Sequence, residues 1–166
     1  TLTVGVLATF LGLVGGLVLG TLAGAIGGWI DAAVMRSVDV LLIDGGCSVE
    51  GYQSDLSRTF GLGKATDEMK KVFGIVHRAQ AAAFAAARPG VPLESIDAAA
   101  RRVIVDAGYG PGFKYFTHRL GHGMGMDGHE WPYLVKHNMY GWDKALSAQP
   151  GMVFSIEPGA YLPGWG

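Results

Sequence analysis

Residues 41–60, LLIDGGCSVEGYQSDLSRTF, decide how most of this chain folds. The β-rich run 38–44 predicts a strand that ends on Asp44, and residues 52–60 predict a return strand that contains Asp55. Glycines interrupt the connection between the two runs at positions 45, 46 and 51. Since paired strands can bring two such acids together on one face, we expect a hairpin-like pair that carries both carboxylates.

Two helices are predicted after this pair. Thr66 is the expected N-cap of the first helix, because acidic residues follow it in the turn where the helix dipole favours anions. The apolar stripe of this helix, which we expect to be buried, consists of Met69, Val72, Phe73, Val76, Ala79, Ala83 and Phe84. The second helix is predicted over 93–106, and its expected buried face consists of Leu93, Ile96, Ala100, Val103 and Ile104.

One further strand is predicted over 152–157, MVFSIE, which Pro158 and Gly159 end. From Tyr109 onward, the sequence shows no pattern that is typical of a helix. The order of strand, strand, helix, helix and strand indicates an α+β fold with a mainly antiparallel sheet.

The charges of this 166-residue chain are balanced, with 13 Lys and Arg against 14 Asp and Glu and a net charge of −1. A nucleic-acid-binding protein would show a basic stripe, so no nucleic acid partner is expected. The single cysteine, Cys47, excludes a disulfide framework and a cysteine-based zinc module.

The first 30 residues belong to a different physical class from the rest, because they contain no charged residue. A bilayer span needs about 20 apolar residues, and this segment is longer than that. Glycine recurs there at every fourth position (12, 16, 20, 24 and 28), which is the small-residue ridge by which membrane helices pack closely. The segment therefore predicts a transmembrane-type helix, and the alternative interpretation is a buried helix of unusual length.

Three acids and two histidines carry the candidate chemistry. Asp44 and Glu157 each end an apolar strand, where an ionised carboxylate is costly unless it is paired or bound to a metal. His122 and His129 lie in a glycine-rich run whose backbone can approach a ligand closely. Together with Asp55, three carboxylates and an imidazole suit Mn, Co, Fe or Zn, and shared carboxylates suit a two-metal site that activates water. Taken singly, each residue is more simply explained as a turn, a cap or a structural histidine.

Three stretches resemble the central motifs of the pita-bread metallopeptidases, in particular the Xaa-Pro dipeptidase (prolidase) and aminopeptidase P group. They are LLIDGGCSVEGYQSDLSRTF at 41–60, THRLGHGMGMDGHEWP at 117–132 and PGMVFSIEPGAY at 150–161. The resemblance covers about 41–163. It implies a partial pita-bread (creatinase/aminopeptidase-like) fold with helices on one face of the sheet, and metal-dependent hydrolysis of peptide bonds preceding proline.

The resemblance also implies a role for each candidate residue. The metal ligands would be Asp44, Asp55, His122 and Glu157. They would hold two divalent ions, with Mn²⁺ expected first and Co²⁺ or Zn²⁺ as alternatives. His129 would contact the substrate and help to move protons or stabilise the tetrahedral intermediate, and His118 would line the pocket near the proline. The implied partners are a proline-containing peptide and a second copy of the chain in a homodimer, and the implied location of the peptidase part is cytoplasmic.

Residues 1–42 resemble a different family, the membrane subunit of dipeptide and oligopeptide ABC permeases. The resemblance rests on a Gly-rich helix that runs into GGWIDAAVMRSVDVLL at 27–42. It implies that 1–40 form a membrane-helix segment, at the inner membrane if that segment is genuine, and that 41–166 are the C-terminal part of a metallopeptidase domain. A chimeric join within VDVLLID, a string that both families tolerate, would explain the change of character.

The pita-bread family has a further glutamate ligand downstream and a first half of the fold upstream, for which this chain has no counterpart. We therefore expect the chain to be truncated and inactive by itself. Two alternatives stay open at this point. One is a membrane-tethered, non-catalytic binding module with a peptidase fold, and the other is a fragment of an ABC transporter permease.

Overall fold

The computed structural model of the protein describes residues 40–61, 63–138 and 146–163. The chain divides into two compact units. The first unit comprises residues 1–41 and 59–65, and the second comprises residues 42–58 and 66–166. All the candidate site residues belong to the second unit.

The predicted membrane helix falls within residues 1–30, which lie outside the described residues, as does almost all of the permease-like segment 1–40. In the part of the chain that is described, no helix combines the length and the apolar character that a bilayer crossing requires. The membrane helix and the join therefore stay predictions.

Six short strands form three two-stranded pairs among the described residues. Their bounds are β1 Val40–Gly45, β2 Ser48–Val49, β3 Tyr52–Gln53, β4 Leu56–Gly61, β5 Gly121–Gly123 and β6 Glu130–Leu134. β1 pairs with β4, which confirms the expected hairpin-like pair, while β2–β3 and β5–β6 form antiparallel pairs. The single sheet predicted from the sequence is thus divided into separate pairs within the described part of the chain.

The return strand predicted over 52–60 is interrupted, because β3 ends at Gln53 and β4 begins at Leu56. At the interruption, the N–H of Ser54 donates to the carbonyl of Cys47 at 2.9 Å, and the Ser54 hydroxyl accepts from the Cys47 N–H at 3.0 Å. Gly46 lies so close to this turn that a Cβ there would overlap the Ser54 carbonyl. The interruption leaves Asp55 between two strands rather than inside one.

Both predicted helices are confirmed, as α1 (Asp67–Ala86) and α2 (Leu93–Asp106). Thr66 caps α1 as expected, since its hydroxyl accepts from the Met69 N–H at 3.1 Å. A short 3-10 turn follows β6 at Lys136–Asn138.

The core lies between α1 and α2 and extends to the segments around β5 and β6. Its fully or almost fully buried side chains include Ile75, Ala79, Ala83, Leu93, Ile96, Ala100, Ile104, Phe116, Leu120 and Leu134. The predicted stripe of α2 is therefore mostly right, with Val103 only partly buried.

The predicted stripe of α1 is wrong at its two aromatic positions. Phe73 is 59% exposed and Phe84 is 69% exposed. The buried line of α1 runs through positions 75, 79 and 83, which are spaced four apart and face α2. Phe73 lies off this line, and its ring stacks on His77 with the ring centroids 6.4 Å apart.

The strand predicted over 152–157 is reduced to a single bridge between Phe154 and Gly123. Backbone hydrogen bonds still follow a two-residue spacing, since Ser155 N–H donates to His122 O and Glu157 N–H donates to Leu120 O, each at 2.9 Å. The N–H of His122 instead donates to the side-chain hydroxyl of Ser155 at 3.1 Å. This serine hydroxyl takes a donor that a regular antiparallel ladder would give to a carbonyl, which explains the interruption.

Apolar side chains of the hairpin-like pair are exposed. In the second unit, Leu42 is 56% exposed, Ile43 is 53% exposed and Leu56 is 55% exposed. Strands with so much exposed apolar surface usually mark an interaction surface.

Candidate metal centre

Three side chains that are distant in the sequence converge in the second unit. The Nε2 atom of His122 lies 3.2 Å from Oδ2 of Asp55 and 3.1 Å from Oε1 of Glu157. One ligand atom from each residue lies within 4.8 Å of the others. The imidazole of His122 is only 2% exposed, whereas the carboxylates of Asp55 and Glu157 are 20% and 29% exposed.

His122 occupies the centre of β5, between two glycines that the packing requires. A Cβ at Gly121 would overlap the carbonyl of Ser155, and a Cβ at Gly123 would overlap the carbonyl of Trp131. The glycine-rich run therefore permits the close approach of backbone that the sequence suggests, although the backbone that approaches is that of neighbouring segments.

The orientation of the His122 ring is fixed by its Nδ1 atom, which lies 3.0 Å from the Gly123 carbonyl. A carbonyl oxygen can only accept a hydrogen bond, so Nδ1 carries the proton in this contact. The Nε2 atom then faces the carboxylates of Asp55 and Glu157. Histidine ligands of metal ions are commonly held by such a contact from the other ring nitrogen.

Glu157 is held by Ser155, whose hydroxyl donates to Oε1 at 2.8 Å. The same hydroxyl oxygen accepts the His122 N–H at 3.1 Å. Ser155 therefore connects two of the three converging residues. Sequence analysis did not single out this serine, although its position two residues before Glu157 places it on the same side of an extended chain.

Asp44, the remaining predicted ligand, is not one of the three residues whose donor atoms converge. It lies on β1, and its Oδ1 accepts a hydrogen bond from the Ser57 hydroxyl on β4 at 2.7 Å. Its charge still reaches the site, because it contributes to the electrostatic environment of Tyr161.

His118 is half-buried and forms a hydrogen bond with Tyr161. The His118 Nδ1 lies 2.6 Å from the Arg119 carbonyl and so carries the proton, which leaves Nε2 to accept from the Tyr161 hydroxyl at 2.8 Å. Burial, followed by the negative charges of Glu157 and then Asp44, raises the pKa of Tyr161 above its usual value of 10.0. Tyr161 is a second residue that sequence analysis missed, although it lies in the same PGMVFSIEPGAY stretch as Glu157.

His129, the predicted catalytic residue, is exposed at the edge of the cluster. Its ring centroid lies 4.1 Å from that of His122, with an angle of 44° between the ring planes. A group at this position can exchange protons with bound substrate or solvent without occupying a ligand position itself.

The donor set of Asp55, His122 and Glu157 fits a divalent metal ion. Two carboxylate oxygens and an imidazole nitrogen converge on one small volume, and a divalent cation there would offset the repulsion between the two carboxylates. Mixed oxygen and imidazole ligands suit Mn, Co, Fe or Zn. The partial exposure of both carboxylates leaves room for water or substrate beside such an ion.

Comparison with known proteins supports a peptidase relationship. Residues 17–166 match the sequence model of Metallopeptidase family M24. An Xaa-Pro dipeptidase of Lactobacillus delbrueckii subsp. lactis is 46% identical over 127 residues, which are 76% of this chain and 32% of that protein.

Solved structures of related peptidases support the same relationship. A prolidase from Pyrococcus furiosus has a TM-score of 0.67 and 38% identity, and the match covers 75% of this chain and 34% of that one. An X-Pro aminopeptidase from Thermotoga maritima has a TM-score of 0.67 and 37% identity, and the match covers 75% of this chain and 33% of that one. The expected α+β, pita-bread type of fold is therefore confirmed for the matched region, and the chain spans about a third of the length of these relatives.

Proposed function

The chain belongs to metallopeptidase family M24, and from this premise we propose that its second unit supplies ligands and substrate contacts for the hydrolysis of peptide bonds preceding proline. The convergence of Asp55, His122 and Glu157 is the observation that carries the proposal. The relatives are named Xaa-Pro dipeptidase, prolidase and X-Pro aminopeptidase, which supports the choice of substrate class. The non-catalytic module and the permease fragment have no specific observation in their favour.

A divalent ion at this cluster would be held by Oδ2 of Asp55, Nε2 of His122 and Oε1 of Glu157. Such an ion polarises a carbonyl and lowers the pKa of water. We propose Mn²⁺ as the first choice, with Co²⁺ or Zn²⁺ as alternatives. A second ion would draw on Asp44, whose carboxylate the Ser57 hydroxyl orients.

The two remaining histidines are assigned to the substrate. His129 lies beside His122 and is exposed, so it can hold or move a proton at the reacting carbonyl or the departing nitrogen. His118 lines the pocket on the proline side, where Tyr161 fixes its Nε2 atom. Both roles are proposals that rest on this placement.

Efficient hydrolysis is proposed to need more protein than the 166 residues provide. The match covers about a third of the relative's length, and apolar side chains of β1 and β4 such as Ile43 and Leu56 are exposed in the second unit. A homodimer, a cytoplasmic location and membrane association through residues 1–30 stay predictions.

The proposal is tested with two proteins, the 166-residue chain and a hybrid in which residues 41–163 replace the corresponding third of the Lactobacillus dipeptidase. Release of proline from Ala-Pro, with Pro-Ala and Ala-Ala as control substrates, is measured with added Mn²⁺ or Co²⁺ and with a chelator. We expect the hybrid to cleave Ala-Pro only when metal is present, and the 166-residue chain to be much slower.

Variants of the hybrid assign the ligands. His122→Ala and Glu157→Ala should each abolish hydrolysis, whereas Arg102→Lys on the exposed face of α2 should not change it. Full activity of the Glu157→Ala hybrid, or cleavage that a chelator leaves intact, would show the proposal to be wrong.

A further inference from the structure

Helix α2 carries a buried ion pair, Asp97 with Arg101, outside the candidate metal centre. The Nε atom of Arg101 donates to Oδ2 of Asp97 at 3.0 Å, and Nη2 donates to Oδ1 at 2.9 Å. The side chains are 5% and 12% exposed. Ion pairs at this i, i+4 spacing ordinarily lie on the solvent face of a helix, so the burial of this one requires an explanation.

The remaining donors of Arg101 are directed at the chain that precedes β5. Nη1 donates to the carbonyl of Phe116 at 2.7 Å, and Nη2 donates to the carbonyl of His118 at 3.0 Å. The guanidinium plane is also held between two rings, with its carbon 4.0 Å from the centroid of Phe113 and 4.1 Å from that of Phe116. A planar fork can contact a carboxylate and two carbonyls at once, which a lysine ammonium cannot do in the same geometry.

Asp97 contacts the same segment at its other end. Its Oδ1 accepts the buried N–H of Leu120 at 3.1 Å, and the same N–H is shared with the carbonyl of Leu134 on β6 at 3.0 Å. The carbonyl of Leu120 in turn accepts the N–H of Glu157 at 2.9 Å. The peptide groups of Leu120 therefore connect the ion pair to Glu157, and Leu120 is also two residues before His122.

The segment from 110 to 120 has no helix or strand of its own. Buried backbone groups without such partners must find hydrogen bonds elsewhere. The ion pair supplies donors to the carbonyls of residues 116 and 118, and at residue 120 it adds a second acceptor to an N–H that also donates to β6. Alternate residues are thus fixed along the stretch that carries His118 and leads into β5.

We infer that Asp97 and Arg101 act together as a positioning pair, which fixes the 116–120 backbone and thereby sets the places of His118, His122 and Glu157. The consequence for catalysis rests on the proposed function, but the positioning itself does not. The competing explanation is an ordinary stabilising ion pair within α2, for which any cation at position 101 would serve.

Amide hydrogen exchange of the metal-free 166-residue chain separates the two explanations. Arg101→Lys keeps the charge and removes the fork, and Arg102→Lys is the matched control on the exposed side of the same helix. In Arg101→Lys we expect the Leu120 amide to exchange roughly tenfold faster, because Asp97 loses the fork that orients its Oδ1 while the hydrogen bond to the Leu134 carbonyl remains. The Ile104 amide should be nearly unchanged, and the ring signals of His118 should shift.

The inference is wrong if the Leu120 amide is protected from exchange to the same degree in the Arg101→Lys and Arg102→Lys proteins. It is equally wrong if Leu120 and Ile104 lose protection by the same factor, because that result indicates general destabilisation. Should Arg101→Lys fail to fold, the wild-type chain decides the matter. A positioning guanidinium gives separate, slowly exchanging Nη proton signals for Arg101, and averaged signals like those of Arg102 would refute it.

A Co²⁺ titration tests whether the ion pair also affects the candidate metal centre. We expect Arg101→Lys to weaken Co²⁺ binding and shift its visible absorption bands, with Arg102→Lys matching the wild type. If the wild-type chain binds no Co²⁺, the proposed metal function fails, while the exchange experiment still decides whether the positioning pair exists. If Arg101→Lys changes the amide exchange but leaves the Co²⁺ spectrum unchanged, the pair positions His118 only. That result would contradict its effect on His122.

Discussion

The backbone N–H of His122 donates to the side-chain hydroxyl of Ser155 at 3.1 Å. In a regular antiparallel ladder this N–H would donate to a backbone carbonyl. Because the same hydroxyl donates to Glu157 at 2.8 Å, a departure from regular strand pairing also aligns a candidate metal ligand.

Replacement of this serine should weaken metal binding. Ser155→Ala removes the donor to Glu157 and the acceptor of the His122 N–H, and we expect the Mn²⁺ affinity of the chain to fall about 10–100-fold, as outer contacts of metal ligands typically do. Ser155→Thr keeps the hydroxyl and should restore most of the affinity. Calorimetric titration measures both, and Ser95→Ala, at an exposed hydroxyl on α2, is the control. Equal affinities for the alanine and threonine variants would contradict the role of the hydroxyl.

Variants of His122 and His129 should show metal binding and catalysis as separate properties. His122→Ala removes the Nε2 donor and should abolish measurable binding of Mn²⁺ to the chain. His129→Ala should leave that binding nearly unchanged and lower the hydrolysis rate of the hybrid protein by about 10²–10⁴-fold, the usual contribution of a group that transfers protons. His77→Ala, at an exposed histidine on α1, provides the control. Loss of metal binding in His129→Ala would instead make His129 a ligand.

The raised pKa of Tyr161 makes stability sensitive to alkaline pH. The folded protein retains the tyrosine proton at pH values above 10.0 at which the unfolded chain has lost it. Folded protein then binds more protons than unfolded protein, so the free energy of unfolding falls as pH rises from about the unfolded pKa through the higher folded pKa. Below that range, the contribution of Tyr161 is fully present.

Ultraviolet absorbance titration measures the pKa of Tyr161. Comparison with the Tyr161→Phe protein assigns the signal to this residue. Glu157→Gln and Asp44→Asn should each lower the pKa of Tyr161, because each removes a nearby negative charge, and Glu157→Gln should have the larger effect. A divalent ion bound by Glu157 should lower it as well. A Tyr161 pKa that neither variant changes would contradict the placement of these carboxylates.

Gly121 should tolerate no side chain. A Cβ at this position would overlap the backbone carbonyl of Ser155, which cannot rotate away, so Gly121→Ala should destabilise the chain by about 1–3 kcal/mol. A Cβ at Gly128 would meet no atom within 4 Å, so Gly128→Ala, in the loop between β5 and β6, is the matched control. Urea unfolding compares the two. Equal stability of the two variants would contradict the close approach of β5 to the Ser155 carbonyl.

The sequence predicted the local elements well where one signal decided them. Thr66 and the acidic residues after it located the start of α1, and the glycine-rich motif singled out His122, although no strand was predicted there. The burial of Phe73 and Phe84 was predicted wrongly. Helical spacing defines a stripe but does not say which edge of the stripe faces its neighbour, and α2 selects the line through Ile75, Ala79 and Ala83.

The candidate site was predicted as a set of residues but not as a geometry. Asp55, His122 and Glu157 converge, whereas Asp44 contacts Ser57 outside the converging group. Asp97 and Arg101 could not have been singled out, because a buried i, i+4 ion pair has the same sequence pattern as a solvent-exposed one. Its burial depends on where residues 113–120 cross α2, which is long-range information.

The three converging donors come from segments that are far apart along the chain. Before folding, holding these segments together costs the entropy of closing two long loops. An ion that binds all three therefore acts as a reversible cross-link, whose binding energy is available only to the folded chain. Metal binding would consequently add to the stability of a chain that already folds without it, and the free energy of unfolding would rise with the logarithm of the free metal concentration once that concentration exceeds the Kd.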